Sequence, residues 1–401
     1  MTARNRHLAL LLSNLRGGGA QQRMVTLANA FAARGHRVDL VTVSSEGGFT
    51  AEVSPKVNRF GLDPWWVETP PLRNLKGPAV IASAPSLALW LRRTRPDALL
   101  SSSNPANLAA LAASRLSGTR TPTVISVNVH ASSATGHPSR HPALRRMMRR
   151  LYPRADGIVA ISHGVADDLA ALLELPQHRI ATIHNPIDQA AIVRRAAEPI
   201  DDPWLEDEGP PIVLAVGKLK RQKDFATLLR AFARLLERRS ARLVILGEGP
   251  ERSHLEALAR EMGVAHAVRL PGFEPNPAAW MARAAVFALS SEWEGFSNVL
   301  VEALTCGCPV VSTNCPSGPA EILEGGAIGP LVPVGDDEAL AHALDRVLAW
   351  PPDTDKLREC ASCFSVDRAA DRYLEVLEGA IRARTALPVP EARAARRRAR
   401  A

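Results

Sequence analysis

Residues 285–319 read AVFALSSEWEGFSNVLVEALTCGCPVVSTNCPSGP. The short apolar run 285–289 predicts a buried strand. A loop follows, and the pattern over 299–306 predicts a helix that is capped by Ser297 or Asn298 and stopped by Gly307. The β-branched run 309–313 predicts a second strand. Strand, loop, helix and strand form a parallel unit, and such sheets bind ligands beyond the carboxyl ends of their strands.

The loop and helix start of this unit have the chemistry of a sugar-nucleotide site. The first helical amides, at 298–300, lack an intrahelical partner and can face an anion such as a diphosphate. Gly295 allows close approach of the backbone to a ligand. Glu302 can accept hydrogen bonds from a ribose diol, and Glu294 can accept them from hydroxyls of a transferred sugar. Because carboxylates repel phosphate, the cations must come from elsewhere in the chain.

Glu294 and Glu302 are separated by seven residues. Together with the following ALTCGCPVVSTNCPSGP, this segment resembles the E-x7-E motif of retaining glycosyltransferases, family 4 in particular. The bare spacing occurs by chance in long chains, and its alternative meaning is two surface glutamates beside a core helix. The whole run on one strand–loop–helix–strand unit is far more specific. The resemblance implies these donor-binding residues: Glu294, Gly295, Phe296, Ser297, Asn298, Val299 and Glu302.

Length and composition fit this class of protein. At 401 residues the chain exceeds one ordinary core, so we expect two domains. The net charge of +8 suits anionic partners, but no basic motif with interleaved aromatics favours nucleic acid. No stretch reaches the roughly 18 apolar residues that span a bilayer, and the five cysteines do not form a disulfide framework. We therefore expect a cytoplasmic protein.

The first half alternates strands and helices around a glycine loop. A strand over 8–12 leads into Gly17, Gly18 and Gly19, and a helix is predicted over 20–34. A dinucleotide fingerprint would need a third glycine where Gln22 stands, so a nicotinamide cofactor is not expected. The loop resembles the glycine stretch after the first strand of family 4 enzymes, which implies that Gly18 and Gly19 face the diphosphate or the acceptor. An ordinary strand-to-helix turn is the alternative.

His130 ends a β-rich run over 123–129. The family has a histidine at the end of a strand near this point, where it reaches the transferred sugar. The resemblance therefore implies a catalytic role for His130 beside Glu294. An ordinary surface or core histidine is the alternative.

The second half restarts the alternation with a strand at 212–216, and two lysines follow it. Lys218 and Lys223 lie at the carboxyl end of that strand, where they can meet the donor phosphates and stabilise the leaving nucleoside diphosphate. At the position of Lys218 the family more often has arginine. A lysine contacts a phosphate at a single point, whereas an arginine makes a bidentate contact. A charged, solvated loop is the alternative. In the family, the loop containing Gly272 and Phe273 borders the nucleotide base.

The resemblance implies an α/β fold of the GT-B type, with two Rossmann-like domains facing an interdomain cleft. We expect an acceptor-side domain over 1–190, a nucleotide-sugar domain over 191–370, a helix over 371–386 that crosses back, and a disordered Arg-rich tail over 387–401. The implied reaction is transfer of a hexose or N-acetylhexosamine, with retention, from a nucleotide sugar to a saccharide or polyprenyl-diphosphate-linked saccharide. UDP is the expected nucleotide, surface polysaccharide the expected product, and no cofactor or metal is expected because no D-x-D ends a strand. An epimerase of the same fold and a catalytically silent sugar-nucleotide-binding protein are the alternatives.

The segment 140–154 carries six arginines and no acid. A helix there would place basic side chains around an apolar stripe, a pattern suited to an anionic membrane surface. We therefore predict peripheral membrane contact through this helix. A solvated helix whose apolar side packs on the first domain is the alternative.

Overall fold

The computed structural model describes residues 5–15, 18–44, 48–66, 76–130, 132, 142–206 and 209–386. The first half forms a seven-stranded parallel sheet in the order β3-β2-β1-β4-β5-β6-β7. Its strands are mostly buried apolar runs, as expected for a sheet covered on both faces. They are β1 His7–Leu12, β2 Arg37–Thr42, β3 Val57–Gly61, β4 Ala98–Ser102, β5 Thr123–Val127, β6 Gly157–Ala160 and β7 Ile180–Thr182.

Helices connect these strands and pack on the sheet. The interior strand β1 pairs with β2 on one side and β4 on the other. The helices are α1 Gly19–Ala33, α2 Lys76–Ala82, α3 Ala84–Thr94, α4 Asn104–Ser117, α5 Pro142–Leu151, α6 His163–Leu173 and α7 Gln189–Ala196.

The second half forms a six-stranded parallel sheet in the order β10-β9-β8-β11-β12-β13. The strands are β8 Ile212–Val216, β9 Arg242–Leu246, β10 Val268–Gly272, β11 Val286–Leu289, β12 Val310–Thr313 and β13 Leu331–Val332. The remaining helices are α8 Pro203–Glu206, α9 Phe225–Leu236, α10 Arg252–Glu261, α11 Pro277–Met281, α12 Asn298–Thr305, α13 Pro319–Ile322, α14 Asp337–Ala349, α15 Thr354–Ser362 and α16 Val366–Ala386. Two parallel α/β sheets, each built like a Rossmann domain, confirm the predicted fold class.

Helix α16 crosses back to the first sheet, as expected. It packs on α1 and on strands β4, β5 and β6. Tyr373 is fully buried there, and its hydroxyl lies 3.2 Å from Ser126 Oγ. The guanidinium of Arg6 forms an ion pair of 2.8 Å with Glu378 on the same helix. The domain boundaries at 190 and 370 stay predictions. The first sheet ends before residue 190, and the second sheet begins after it.

Some local predictions were wrong for physical reasons. The sequence over 49–75 has no clear period and predicts an irregular segment, but it contains β3. This edge strand has exposed middle residues, so its sequence lacks an apolar signal. The apolar run 80–93 predicts a single helix, but the structure has two helices, α2 and α3, separated at Ser83. The charged, Pro-rich stretch 194–211 predicts a linker that can carry a short helix, and the structure places the end of α7 and the short helix α8 there. Gly17, Arg140 and the tail 387–401 lie outside the described residues.

Candidate active site

Glu294 is held at the carboxyl end of β11. Its side chain is largely buried, and Oε1 accepts a charge-assisted hydrogen bond of 2.6 Å from Lys223 Nζ. Ser291 Oγ donates a second bond of 2.7 Å to the same oxygen. No described residue bonds to Oε2. The carboxylate is therefore fixed by its partners, with one oxygen left to accept a hydrogen bond from a substrate hydroxyl.

The cations lie in the loop after β8, as predicted, but their roles divide. Lys223 is committed to Glu294, whereas Lys218 is exposed and lines the cleft. Lys220 is a third lysine of this loop, which sequence reasoning missed. Burial lowers the pKa of Lys220, and the charges of Lys223 and Lys218 lower it further against the opposing effect of Glu294. Three ammonium groups thus raise the local positive potential.

A cavity of about 1010 Å³ lies between the two domains. Lys218, Phe273, Asn298 and Glu302 all line it, so the structure brings four predicted donor-site residues into one space. Burial raises the pKa of Glu302 to about 7, and the nearby charge of Arg195 works in the opposite direction. The Glu302 carboxyl group can therefore change its ionisation state near neutral pH.

The start of α12 faces this cavity through Asn298. Ser297 occupies the cap position with φ of 70°, but its Oγ makes no capping bond and is buried without a partner. The Leu300 amide, expected to be free, donates 3.2 Å to Ser297 O. Neither the Asn298 nor the Val299 amide has a hydrogen-bond partner among the described residues. The predicted anion site therefore has two available amide donors instead of three.

The glycine loop of the first domain lies opposite α12. A Cβ on Gly19 would be 3.7 Å from Asn298 Nδ2, so this loop approaches the helix start closely. Gly18 caps α1 with φ of 129°, a conformation that favours glycine. Asn185, which follows β7, donates 2.7 Å from Nδ2 to Asn298 Oδ1. The two predicted glycines therefore lie at the cleft.

Two donor-loop residues have structural surroundings that the sequence did not indicate. A Cβ on Gly295 would be 2.1 Å from the carbonyl oxygen of Asn128. The close approach is thus to the backbone of the first domain, and the role of Gly295 in donor binding stays a prediction. Phe296 is buried, stacks on His184 at 5.1 Å and meets Phe364 at 5.3 Å. Its side chain belongs to the domain interface and does not line the donor cavity.

His130 is half-buried on the first-domain side, and its Nδ1 lies 3.6 Å from Asp168 Oδ1. It follows Asn128, the residue whose carbonyl touches Gly295, by two positions. The chain therefore carries His130 to the neighbourhood of the donor loop. Asp168, on α6, lies beside the imidazole and was not singled out from the sequence.

Gly272 ends β10, and Phe273 follows it. Gly272 has φ of 103°, and its carbonyl accepts 2.7 Å from the Gly247 amide. The Phe273 ring is 78% exposed and lines the cavity. An exposed aromatic ring at a cavity rim offers a flat surface to a nucleotide base.

A carboxylate of the second domain also reaches across the interface. Glu321, on α13, accepts hydrogen bonds from the amides of His163 and Gly164 at the start of α6. His184 Nε2 lies 3.0 Å from the same carboxylate. Asp336 caps α14 by accepting a hydrogen bond from the Ala339 amide.

Solved structures share this architecture. A lipopolysaccharide outer core galactosyltransferase, WaaB, superposes with a TM-score of 0.67 at 20% identity over 92% of this chain and 98% of its own. HepE of Anabaena, solved in complex with UDP, gives 0.72 at 19% identity over 93% and 99%. At these identities the likeness concerns the fold, which is GT-B.

Family models cover most of the chain. The model of Glycosyltransferase Family 4 matches residues 17–191, and that of Glycosyl transferases group 1 matches residues 197–362. Together with the E-x7-E segment on its strand–loop–helix–strand unit, these matches place the protein among the family 4 glycosyltransferases.

Curated relatives match over part of their length. The N-acetylgalactosamine-N,N'-diacetylbacillosaminyl-diphospho-undecaprenol 4-alpha-N-acetylgalactosaminyltransferase of Campylobacter jejuni is 38% identical over 52% of this chain and 54% of its own. The lipopolysaccharide core biosynthesis glycosyltransferase LpsE of Rhizobium meliloti is 31% identical over 56% and 65%. The match thus spans about half to two thirds of these relatives.

Proposed function

We propose that the protein transfers a hexose or N-acetylhexosamine, with retention, from a UDP-sugar to a saccharide acceptor in surface polysaccharide biosynthesis. The observation that carries this proposal is the Glu294 carboxylate, fixed by Lys223 and Ser291 with one free oxygen. It lies in the donor loop, next to a cleft lined by Glu302 and Lys218. The names of the relatives, a lipid-linked N-acetylgalactosaminyltransferase and a lipopolysaccharide glycosyltransferase, support the same class of reaction.

Each polar group then has a defined task. The Glu302 carboxylate accepts hydrogen bonds from the ribose diol, and Phe273 lies against the nucleotide base. The Asn298 and Val299 amides meet the diphosphate, and Lys218 and Lys220 stabilise the charge of the leaving group. Glu294 Oε2 accepts a hydrogen bond from a hydroxyl of the transferred sugar. His130 contacts that sugar from the first domain.

Retention follows from a front-face displacement. The acceptor hydroxyl oxygen bonds to the anomeric carbon on the side from which the nucleoside diphosphate leaves. The bond from that carbon to the phosphate oxygen breaks, and the hydroxyl proton passes to the departing phosphate. In this scheme no side chain forms a covalent bond with the sugar. Lys218, Lys220 and the amides stabilise the developing negative charge without a metal.

The acceptor is a lipid-linked saccharide in this proposal. The relative of Campylobacter jejuni acts, by its name, on a diphospho-undecaprenol-linked sugar, and its match covers about half of this chain. A polyprenyl diphosphate brings its reacting sugar to the membrane surface, where the basic first domain can meet it.

One set of measurements tests the proposed function. Thermal shifts with UDP, GDP, ADP and their sugar conjugates identify the donor, because ligand at 100 times its Kd adds about 2.7 kcal/mol of stability. Transfer from the selected donor to a polyprenyl-diphosphate-linked saccharide is then followed with and without EDTA. We expect acceptor-dependent, EDTA-resistant product with an α-linkage. Turnover in water alone would favour an epimerase, binding without turnover would favour a silent binding protein, and activity restored only by Mg²⁺ or Mn²⁺ would contradict the metal-free mechanism.

A further inference from the structure

Arg23, one turn into α1, is a buried cation held only by neutral groups. Its side chain is 2% exposed. Nη1 donates to Asn185 Oδ1 at 3.2 Å, and Nη2 donates 2.6 Å to both Ser102 Oγ and Asn128 Oδ1. Nε is buried without any hydrogen-bond partner. The guanidinium is thus fixed in place but incompletely satisfied.

No carboxylate of the described residues lies within salt-bridge distance of this guanidinium. Arg6 and Arg34, which also belong to the first domain, pair with Glu378 and Asp367. Burial lowers the pKa of Arg23, although arginine remains charged in proteins. A buried charge without a counter-ion is costly, and an anionic ligand is one way to compensate it.

The position of Arg23 indicates where that anion binds. Arg23 lines the same cavity as Lys218 and Glu302. Asn185, which accepts from Arg23, donates to Asn298 at the start of α12. The guanidinium is therefore connected by two successive hydrogen bonds to the helix start at which the diphosphate is proposed to bind.

We propose that Arg23 is an electrostatic positioning residue, which supplies the first domain's positive charge to the diphosphate of the donor. The proposal rests on the proposed function and adds a cation from the opposite wall of the cleft. Arg23 acts through its field and through Asn185. A charge at about 10 Å, with an effective dielectric of about 20, changes the affinity for each unit of ligand charge by roughly tenfold.

A ligand series that differs in charge separates this role from a merely structural one. Affinities for UDP, UMP and uridine are measured by calorimetry for the wild type and for Arg23→Lys, Arg23→Met and Ser102→Asp. Ser102→Asp keeps Arg23 and places a carboxylate beside it as an internal counter-ion. Arg115→Gln, which removes an exposed arginine on α4, is the matched control.

We expect Arg23→Met and Ser102→Asp to lose about tenfold or more in UDP affinity, less for UMP, and nothing for uridine. Arg23→Lys should retain most of the UDP affinity, and Arg115→Gln all of it. Ser102→Asp should have a melting temperature at or above that of the wild type. It therefore tests the electrostatic role of Arg23 even if Arg23→Met does not fold. Equal losses for UDP and uridine, or unchanged UDP affinity in Ser102→Asp, would overturn the proposal. A wild type that binds uridine nucleotides too weakly to measure would instead refute the proposed donor, and this inference with it.

Discussion

At the scale of single residues, Glu302 makes a testable link between burial and ligand binding. Its pKa is raised to about 7 by burial, so the carboxylate that we propose as acceptor for the ribose diol is fully ionised only above neutral pH. Glu302→Gln should weaken UDP binding at pH 8, because a hydrogen bond to a charged group contributes about 1.5–3 kcal/mol. At pH 5.5, where the wild-type group is protonated, the two proteins should bind UDP almost equally. Calorimetry at both pH values checks this.

The ratio of the two affinities at each pH cancels the titration of UDP itself. A ratio that stays constant between pH 5.5 and 8 contradicts the assignment of Glu302 to the ribose. Stability gives an independent check. Between the ordinary carboxyl pKa of 4.5 and about 7, the folded chain keeps a proton that the unfolded chain releases. The wild type should therefore lose unfolding free energy relative to Glu302→Gln as pH rises through this window.

The sequence indicated the positions of polar residues whose type decides their chemistry. Glu302, Lys218 and Asn298 line the cleft, and Glu294 lies in the loop between β11 and α12. It could not predict contacts made across the domain interface, because these depend on which loops meet in space. Gly295 is small to accommodate Asn128, and Arg23 resembles any helix arginine until its burial is known.

At the scale of elements, α13 and α6 form a contact between the domains. Glu321 accepts from the His163 amide at 2.8 Å, the Gly164 amide at 3.0 Å and His184 Nε2 at 3.0 Å. Burial raises the pKa of Glu321, but these three hydrogen bonds outweigh it and hold the pKa below its ordinary value. Glu321→Gln should therefore lower the unfolding free energy at pH 7 by about 1.5–3 kcal/mol.

The sign of the pH dependence follows from the lowered pKa. The contribution of Glu321 is complete above the ordinary carboxyl pKa and is lost as pH falls through the depressed value. Denaturant unfolding of the wild type and Glu321→Gln is measured across pH 3–7. The unfolding free energies of the two proteins should converge as the pH falls. Glu338→Gln, an exposed glutamate on α14, is the control and should change little. A stability difference that persists unchanged at pH 3 would show that the helix-capping contact is not the cause.

Elements with an internal signal were predicted closely from the sequence. The buried strands β8 and β11 and the helix α12 are examples. The strands that escaped prediction, β3 and β13, lie at the edges of their sheets. An edge strand can be short or polar because only one neighbour orders it, so its sequence is less distinctive.

At the scale of the whole molecule, the basic helix α5 lies on the surface of the first domain. Met148 is fully buried, and Leu144, Met147 and Leu151 pack against the core. The expectation that this apolar stripe faces a membrane was wrong, since the core already covers it. Arg146, Arg149 and Arg150 are exposed. No helix in the described part of the chain has the length and apolar character to cross a bilayer.

Attachment to a membrane through α5 would therefore be electrostatic, and this changes what the experiment should show. Each basic side chain near an anionic surface contributes about 1 kcal/mol, and salt screens it. We expect sedimentation with anionic liposomes at low salt, release at high salt, and no binding to neutral liposomes.

Changing Arg145, Arg146, Arg149 and Arg150 together to Gln should abolish this binding. The pair Arg146 and Arg150 is the sharper test, because Arg149 Nε donates to Leu172 O and also holds the fold. Replacing that pair by Gln should weaken liposome binding by about thirtyfold at low salt, which corresponds to two charges at about 1 kcal/mol each. The same change at Arg260 and Arg368, exposed in the second half of the chain, removes equal charge and should have little effect. Equal losses for both pairs would mean that net charge, and not the position of α5, directs the protein to the surface. Indifference of the wild type to anionic liposomes would favour an acceptor that is free in solution.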